Sequence, residues 1–216
     1  EKLAGGAAFA IRYLSQFPSA QVTGQLVKIC IGVSGHPPVR AAACKTLSER
    51  TTGPGHVREA LKKRGSFLKG THIPPSGALA LAAGNMGIKG TVPDIIDHLF
   101  DPATPVTELN GIFEGLGKLG GKPAWEACDR FLRLYHAGTT EKHLVEALGK
   151  AATALTTIRK KEAKPTLEFI AGDAQTPVEL KETVSKLVAS LDEPKEEKKE
   201  EPKEVKPVKD ERPERI

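Results

Sequence analysis

HPPVRAAACKTL, at residues 36–47, begins with two prolines and continues as a run of small and apolar residues suited to a helix. Similar phrases return as PPSGALALAAGNMG at 74–87, TPVTELNGIFEGLGKLG at 104–120 and TPVELKETVSKLVASL at 176–191. Pro38 and Pro75 are 37 residues apart, while Pro105 and Pro177 are 72 apart, or two periods of 36. Periods of this length indicate a helical repeat array.

The repeat is irregular. The step from Pro75 to Pro105 is only 30 residues, so one unit is shortened. The stretch TTEKHLVEALGKAATAL, at 139–155, occupies the equivalent position in the repeat but lacks the leading proline. Because repeat arrays work mainly through extended surfaces, the period favours a binding function over a buried catalytic pocket.

Apolar spacing and helix breakers predict how the helices pair. In the unit beginning at Thr104, Val106, Leu109, Leu116 and Leu119 recur every three or four residues and form one apolar stripe. The predicted pairs are 7–17 with 24–33, 37–50 with 56–64, 74–86 with 92–100, 104–120 with 124–135, and 140–157 with 165–171, and helix 177–191 closes the array without a full partner. The prediction is an all-α, right-handed α-solenoid of about five to six hairpins over residues 1–191.

Composition changes sharply at Asp192. Residues 192–216 read DEPKEEKKEEPKEVKPVKDERPERI, with ten acidic residues, eight Lys or Arg and four prolines. So little apolar surface predicts an extended or disordered tail. The preceding body holds 24 basic and 17 acidic residues, a net charge of +7, so the basic character belongs to the predicted helical part.

The phrase Pro-Val-Arg-Ala-Ala-Ala at 38–43, together with Leu-Gly-x-Leu-Gly at 116–120, resembles bacterial HEAT repeats of the phycobilin-lyase-like subtype. The unit that begins at Thr104 keeps Asp101, Pro105 and Val106 of the family's pattern, but Thr107 stands where the family has arginine. The resemblance covers about residues 7–191 and implies an α-solenoid. The family includes scaffolds, lyase subunits and appended domains, so it implies no single function.

Motifs for catalysis or metal binding are missing from the sequence. No His-Glu dipeptide of the kind that holds two irons in helical-repeat hydroxylases occurs. Cys30, His36 and Cys44 match no closed zinc spacing, and buried small apolar side chains are the expected role of the cysteines. His136, beside a helix end, is expected to cap that helix. We therefore expect no enzyme activity, cofactor, metal site or catalytic residue.

Basic residues are the better indication of function. The run HVREALKKRGSFLKGTH, at 56–72, carries five Lys or Arg against one Glu, and RKKEAK follows at 159–164. In a right-handed array the second helices commonly line one surface, and the candidate partner-binding residues there are Arg58, Lys62, Lys63, Arg130 and Arg133. Such a surface could attract an acidic protein segment or a nucleic-acid backbone, or simply keep the helices soluble. No set of aromatic residues placed for base stacking is recognised among these cations, which argues against sequence-specific nucleic-acid recognition.

The sequence favours a non-catalytic protein–protein interaction scaffold, or an accessory subunit of a larger bacterial assembly, that uses the array surface and also the tail. The alternatives are a lyase-like subunit that handles a tetrapyrrole and a solenoid that binds nucleic acid non-specifically. Expected partners are other proteins, and no small-molecule ligand or membrane span is expected. A start at Glu1 rather than Met suggests a processed product or a fragment, which leaves a cytoplasmic and a periplasmic location both open.

Overall fold

A computed structural model describes residues 2–32, 36–63 and 75–192, and within these ranges every regular element is a helix. The eleven α-helices are α1 (Lys2–Tyr13), α2 (Ala20–Ile31), α3 (Pro37–Ser48), α4 (Pro54–Leu61), α5 (Ser76–Asn85), α6 (Val92–Leu99), α7 (Leu109–Leu119), α8 (Lys122–Tyr135), α9 (Lys142–Ile158), α10 (Lys160–Gly172) and α11 (Val178–Asp192). The all-α prediction is confirmed. The charged segment after Asp192, and parts of predicted helices near residues 33, 64 and 74, lie outside the described residues.

Most helices begin and end close to the predicted positions, but four differ by four or five residues at one or both ends. Helix α1 spans Lys2–Tyr13 instead of 7–17, and α2 begins at Ala20 instead of residue 24. A short 3-10 turn, Val106–Glu108, precedes α7, so the α-helix itself begins at Leu109. Helix α10 begins at Lys160 instead of Pro165, which lies inside it. Ala163 is fully buried in the first turn of α10. Burial of this apolar side chain stabilises a helix that begins before Pro165.

The helices form two layers. The odd-numbered helices contact one another in chain order, from α1 through α3, α5, α7 and α9 to α11. In the other layer α2 packs on α4, and α8 packs on both α6 and α10. Each even-numbered helix also packs on the odd-numbered helix that follows it, so contacts join mostly neighbours in the sequence.

Helices α5 and α7 approach until their backbones touch. A Cβ atom built on Gly111 would lie 2.5 Å from the carbonyl oxygen of Gly77, and one built on Gly115 would lie 2.4 Å from that of Ala80. Real Cβ atoms essentially never come so close to backbone atoms. Glycine is therefore required at both positions, where small residues permit dense packing of helix on helix.

Polar side chains at the helix ends connect successive units, and a sequence separation of 37 residues recurs among these contacts. Asn85 Nδ2 donates to the Ser48 carbonyl oxygen at 2.7 Å, and its partner lies 37 residues earlier. His98 Nε2 lies 2.8 Å from the Leu61 carbonyl oxygen, again 37 residues away. A carbonyl oxygen only accepts, so the buried His98 ring donates this bond. These contacts satisfy carbonyl groups that helix ends leave without an intrahelical donor.

Arg50 makes the densest of these connections. Its side chain is buried, and burial lowers the pKa of its guanidinium. Nη2 donates to the carbonyl oxygens of Phe17 at 2.7 Å and Ser19 at 3.0 Å, and Nε donates to Thr23 Oγ1 at 3.0 Å. An arginine remains protonated even here, and its planar array of donors fits several acceptors at once. Arg50 therefore fixes the α1–α2 connection against the end of α3.

Two glycine-to-alanine substitutions are predicted to have opposite effects. Gly115→Ala should lower the free energy of unfolding by about 1–3 kcal/mol, because the added methyl group overlaps the Ala80 backbone. Gly149→Ala, in the middle of α9, should raise it by up to about 1 kcal/mol, because alanine has the higher helix propensity. A Cβ at Gly149 has only the Thr183 methyl group nearby, at 3.6 Å. Urea denaturation checks both values, and equal effects of one sign would contradict the described packing.

Arg50→Lys is predicted to destabilise the protein by about 2 kcal/mol or more, because one ammonium cannot replace the guanidinium and buried carbonyls lose their donors. The matched control is Arg58→Lys on α4, where the side chain is exposed. That change should stay within about 0.5 kcal/mol. Thermal unfolding of the two variants measures the difference, and similar melting temperatures would show that Arg50 is not a structural anchor.

Candidate binding surface

The predicted basic residues lie on two helices of the even-numbered layer. Arg58, Lys62 and Lys63 are exposed on α4 or directly after it, and Lys62 pairs with Glu59 at 3.0 Å. Arg130 and Arg133 are exposed on α8. Residues 64–72 of the first basic run lie outside the described residues. In the second run, Arg159 and Lys164 pair with acidic groups, Arg159 with Glu162 and Lys164 with Glu168 and Asp192.

Arg130 and Arg133 both contact neighbouring helices. The Arg130 guanidinium carbon lies 4.9 Å from the centroid of the Phe100 ring, at the end of α6. Arg133 pairs with Asp129 at 3.0 Å and donates to Thr166 Oγ1 of α10 at 2.6 Å. Its guanidinium also lies 5.8 Å from the Phe169 ring centroid. These two arginines are therefore held in place by contacts to α6 and α10, which the sequence interpretation did not foresee.

Two exposed apolar side chains follow the arginines on α8, and a third, on α10, contacts Arg133. The exposed fractions are 57% for Leu134, 43% for Tyr135 and 51% for Phe169. We call Arg130, Arg133, Leu134, Tyr135 and Phe169 the arginine–aromatic patch. The sequence interpretation recognised no aromatic residues placed for stacking beside the basic ones. It overlooked Phe131 between the two arginines, and the structure adds ring contacts to Phe100 and Phe169. Phe100 and Phe169 are 30 and 36 positions from the arginines they contact, so only the packing of α6 and α10 on α8 brings them together.

His136 is buried next to the patch and contacts Phe169. As expected for a cap, the ring lies at the end of α8, where Nδ1 is 3.1 Å from the Leu132 carbonyl oxygen. Its Nε2 lies 2.9 Å from Asp173 Oδ2, 37 residues away, and the ring meets Phe169 edge-on. A hydrogen bond from the Gln175 backbone N–H and the His136 contact hold the pKa of Asp173 below its usual range. The pair joins the ends of α8 and α10 and so fixes Phe169 beside Arg133.

A groove lies on the opposite layer, between α9 and α11. Its volume is about 940 Å³. One end lies at the loops before α9 and α11, which a hydrogen bond from Gly138 N to Gln175 O joins at 3.0 Å. Gly149 leaves room along the groove, while Val178 on its rim is 68% exposed. We call this feature the α9–α11 groove. The residues lining it include Lys142, Val145, Glu146, Lys150, Thr153, Pro177, Glu179 and Thr183.

A smaller crevice of about 330 Å³ continues from this groove toward α7. Lys150 and Thr153 line both spaces. Lys150 Nζ also lies 2.8 Å from Glu114 Oε1 and thereby joins α9 to α7. The sequence interpretation missed the groove, because a glycine in open space looks the same in the sequence as a glycine at a helix contact.

The cysteines are free thiols. Cys30 and Cys128 are buried, as expected, and Cys44 is half-buried. A hydrogen bond with Cys44 and burial together raise the pKa of Cys30, and burial raises the pKa of Cys128 to about 12. His36, the third member of the sequence cluster, is exposed at the start of α3. In the part of the chain that the structure describes, no three metal-binding side chains of the His, Cys, Asp and Glu types come together.

Comparison with known protein families and with characterised proteins gives no significant match to either. The structure therefore establishes an all-helical protein of eleven helices within the described ranges, without a family assignment. None of these helices combines the length and apolar character that crossing a membrane requires.

The link between His136 and Asp173 predicts a pH dependence. A carboxylate with a lowered pKa stabilises the folded state above its unfolded pKa, near 3.8, and that contribution disappears as the pH falls through the folded pKa. Asp173→Asn should therefore lower the melting temperature at pH 7, and the difference from the parent should shrink below about pH 4. Glu182→Gln, an exposed acid on α11, is the control. Thermal melts from pH 2.5 to 7 test this, and a constant difference would exclude the proposed linkage.

Proposed function

We propose that this chain is a non-catalytic scaffold that binds a partner protein through the arginine–aromatic patch. The observation that carries the proposal is the patch itself, in which exposed apolar side chains lie beside two arginines held in place by neighbouring helices. We further propose that the helices form a HEAT-like, right-handed α-solenoid and that the chain serves as an accessory subunit of a larger assembly.

Two observations support the solenoid. Helices contact their neighbours in the sequence and the next helix of their own layer, which is the contact pattern of stacked helical pairs. Polar contacts join positions 37 residues apart at three places, the ends of α3 and α5, of α4 and α6, and of α8 and α10. A constant separation is expected when one structural unit repeats.

The composition of the patch suits a protein interface. Tyrosine, phenylalanine and arginine are enriched at the centres of interfaces, and tyrosine and arginine carry a large share of binding energy. Arg133 is already restrained by Asp129 and Thr166, so binding would cost little additional side-chain entropy there. An exposed apolar cluster in a rigid setting is the kind of surface that partners cover.

Charge indicates the chemistry of the partner. The body carries a net charge of +7, and Arg58, Lys62 and Lys63 extend the basic character to α4 in the same layer. A surface with both acidic and apolar groups would complement the patch. Cations away from the patch would act mainly by speeding association, since exposed charges steer encounter more than they add to affinity.

The test begins with co-purification of the full chain from its native host and identification of the bound protein. Leu134→Asp with Tyr135→Ser should weaken binding of that protein roughly tenfold or more, because it removes apolar contact area and places a negative charge before an acidic partner. Phe9→Ser on α1, where the side chain is 72% exposed, is the matched control and should leave affinity unchanged. Circular dichroism melts verify folding.

Three outcomes would contradict the proposal. The first is binding unaffected by the double substitution. The second is a bound nucleic acid with affinity falling about 10³-fold or more between 50 and 200 mM salt, which would assign the surface to phosphate contacts. The third is absorbance of a tetrapyrrole that stays with the purified chain, which would favour a lyase-like subunit.

A further inference from the structure

The α9–α11 groove lies in the layer opposite the arginine–aromatic patch and takes no part in the function proposed above. We propose that this groove binds residues 202–210 of the chain's own C-terminal tail, PKEVKPVKD, in cis. The inference combines the chemistry of the groove, the residue pattern of the tail and the length of chain that separates them.

The groove has an apolar wall and a charged rim. Val145 of α9 faces it from one side, with Pro177 and Val178 on the other, and the exposure of Val178 leaves apolar surface uncovered by the described residues. Glu146 and Glu179 contribute negative charge to the lining, and Lys142 and Lys150 contribute positive charge. Because Lys150 is paired with Glu114 at 2.8 Å, the two acids outnumber the remaining lysine. A ligand with an apolar edge and a basic edge would complement both features.

The tail contains such a segment. With three residues per turn, a polyproline II conformation would place Pro202, Val205 and Val208 along one edge. Lys203, Lys206 and Lys209 would then follow a second edge. Apart from Ile216 at the end, these two valines are the tail's aliphatic residues, and prolines at 202 and 207 favour the extended conformation.

The dimensions agree. In polyproline II the six steps from residue 202 to residue 208 span about 19 Å at roughly 3.1 Å per residue. The groove side of α9 runs from Lys142 to Thr153, about 17 Å at roughly 1.5 Å per residue. The apolar edge of the segment therefore matches the length of the groove, with its lysines within reach of Glu146 and Glu179.

The connection is long enough for binding in cis. Helix α11 ends at Asp192, and the groove lies beside its first half, near Val178. The chain must travel back about 21 Å along the helix, at roughly 1.5 Å per residue. Ten residue steps separate 192 from 202, and an extended chain covers about 33 Å in that length.

Amide hydrogen exchange of the full chain, followed by mass spectrometry, tests the proposal. Residues 203–209 should exchange at least about tenfold more slowly than the intrinsic rate of an unstructured segment. Val205→Asp with Val208→Asp should abolish that protection. Val178→Asp, on the exposed rim, should abolish it as well without disturbing the core. Phe9→Asp, at a position on α1 that is 72% exposed and does not line the groove, is the matched control and should retain the protection.

Exchange at the intrinsic rate in the parent chain would overturn the proposal. Protection that persists in the Val178→Asp variant would place the segment elsewhere. Protection that grows with protein concentration would show that the tail of a second copy fills the groove, and would overturn binding in cis. If the arginine–aromatic patch proves not to bind a partner, the hydrogen-exchange result for the groove still stands, because different variants test the two surfaces.

Discussion

Among the described helices, α5 and α7 share the most extensive contact, and their backbones touch. Gly111 and Gly115 bring α7 against Gly77 and Ala80 with no side chain between the helices. Glu108, at the start of α7, then reaches the beginning of α5, where Oε2 accepts a hydrogen bond from Gly77 N at 2.8 Å. Burial nevertheless raises the pKa of this carboxyl group, because desolvation outweighs its bonds to backbone N–H groups.

The even-numbered helices pack differently from α5 and α7. Between α6, α8 and α10, large side chains occupy the contacts: Phe131 packs against Phe100 and Tyr135, and the two arginines of the patch extend to Phe100 and Phe169. Phe131 is buried among these side chains, whereas Tyr135 and Phe169 remain exposed by about half. The proposed binding surface thus lies in the even-numbered layer, where helices pack through aromatic rings and not through backbone contact as α5 and α7 do.

Much of the fold could be predicted from the sequence, because prolines, glycines and apolar spacing mark helix ends locally. Helix α10 was placed too late because Pro165 was interpreted as a start, while the burial of Ala163 depends on tertiary packing. The two arginines on α8 were correctly placed in the second helices, but their ring partners come from other units. Likewise, Gly115 and Gly149 look alike in the sequence, although one contacts a backbone and the other borders a groove.

Small residues bring α5 and α7 of the odd-numbered layer into backbone contact. Nuclear Overhauser spectroscopy of the labelled chain measures this most directly, between the Hα protons of Gly115 and the methyl protons of Ala80. Because a Cβ on Gly115 would lie 3.0 Å from the Ala80 Cβ, we predict a strong cross-peak between these groups. If both signals are assigned and no cross-peak joins them, α5 and α7 are separated by more than the described packing allows, and the account of both layers fails.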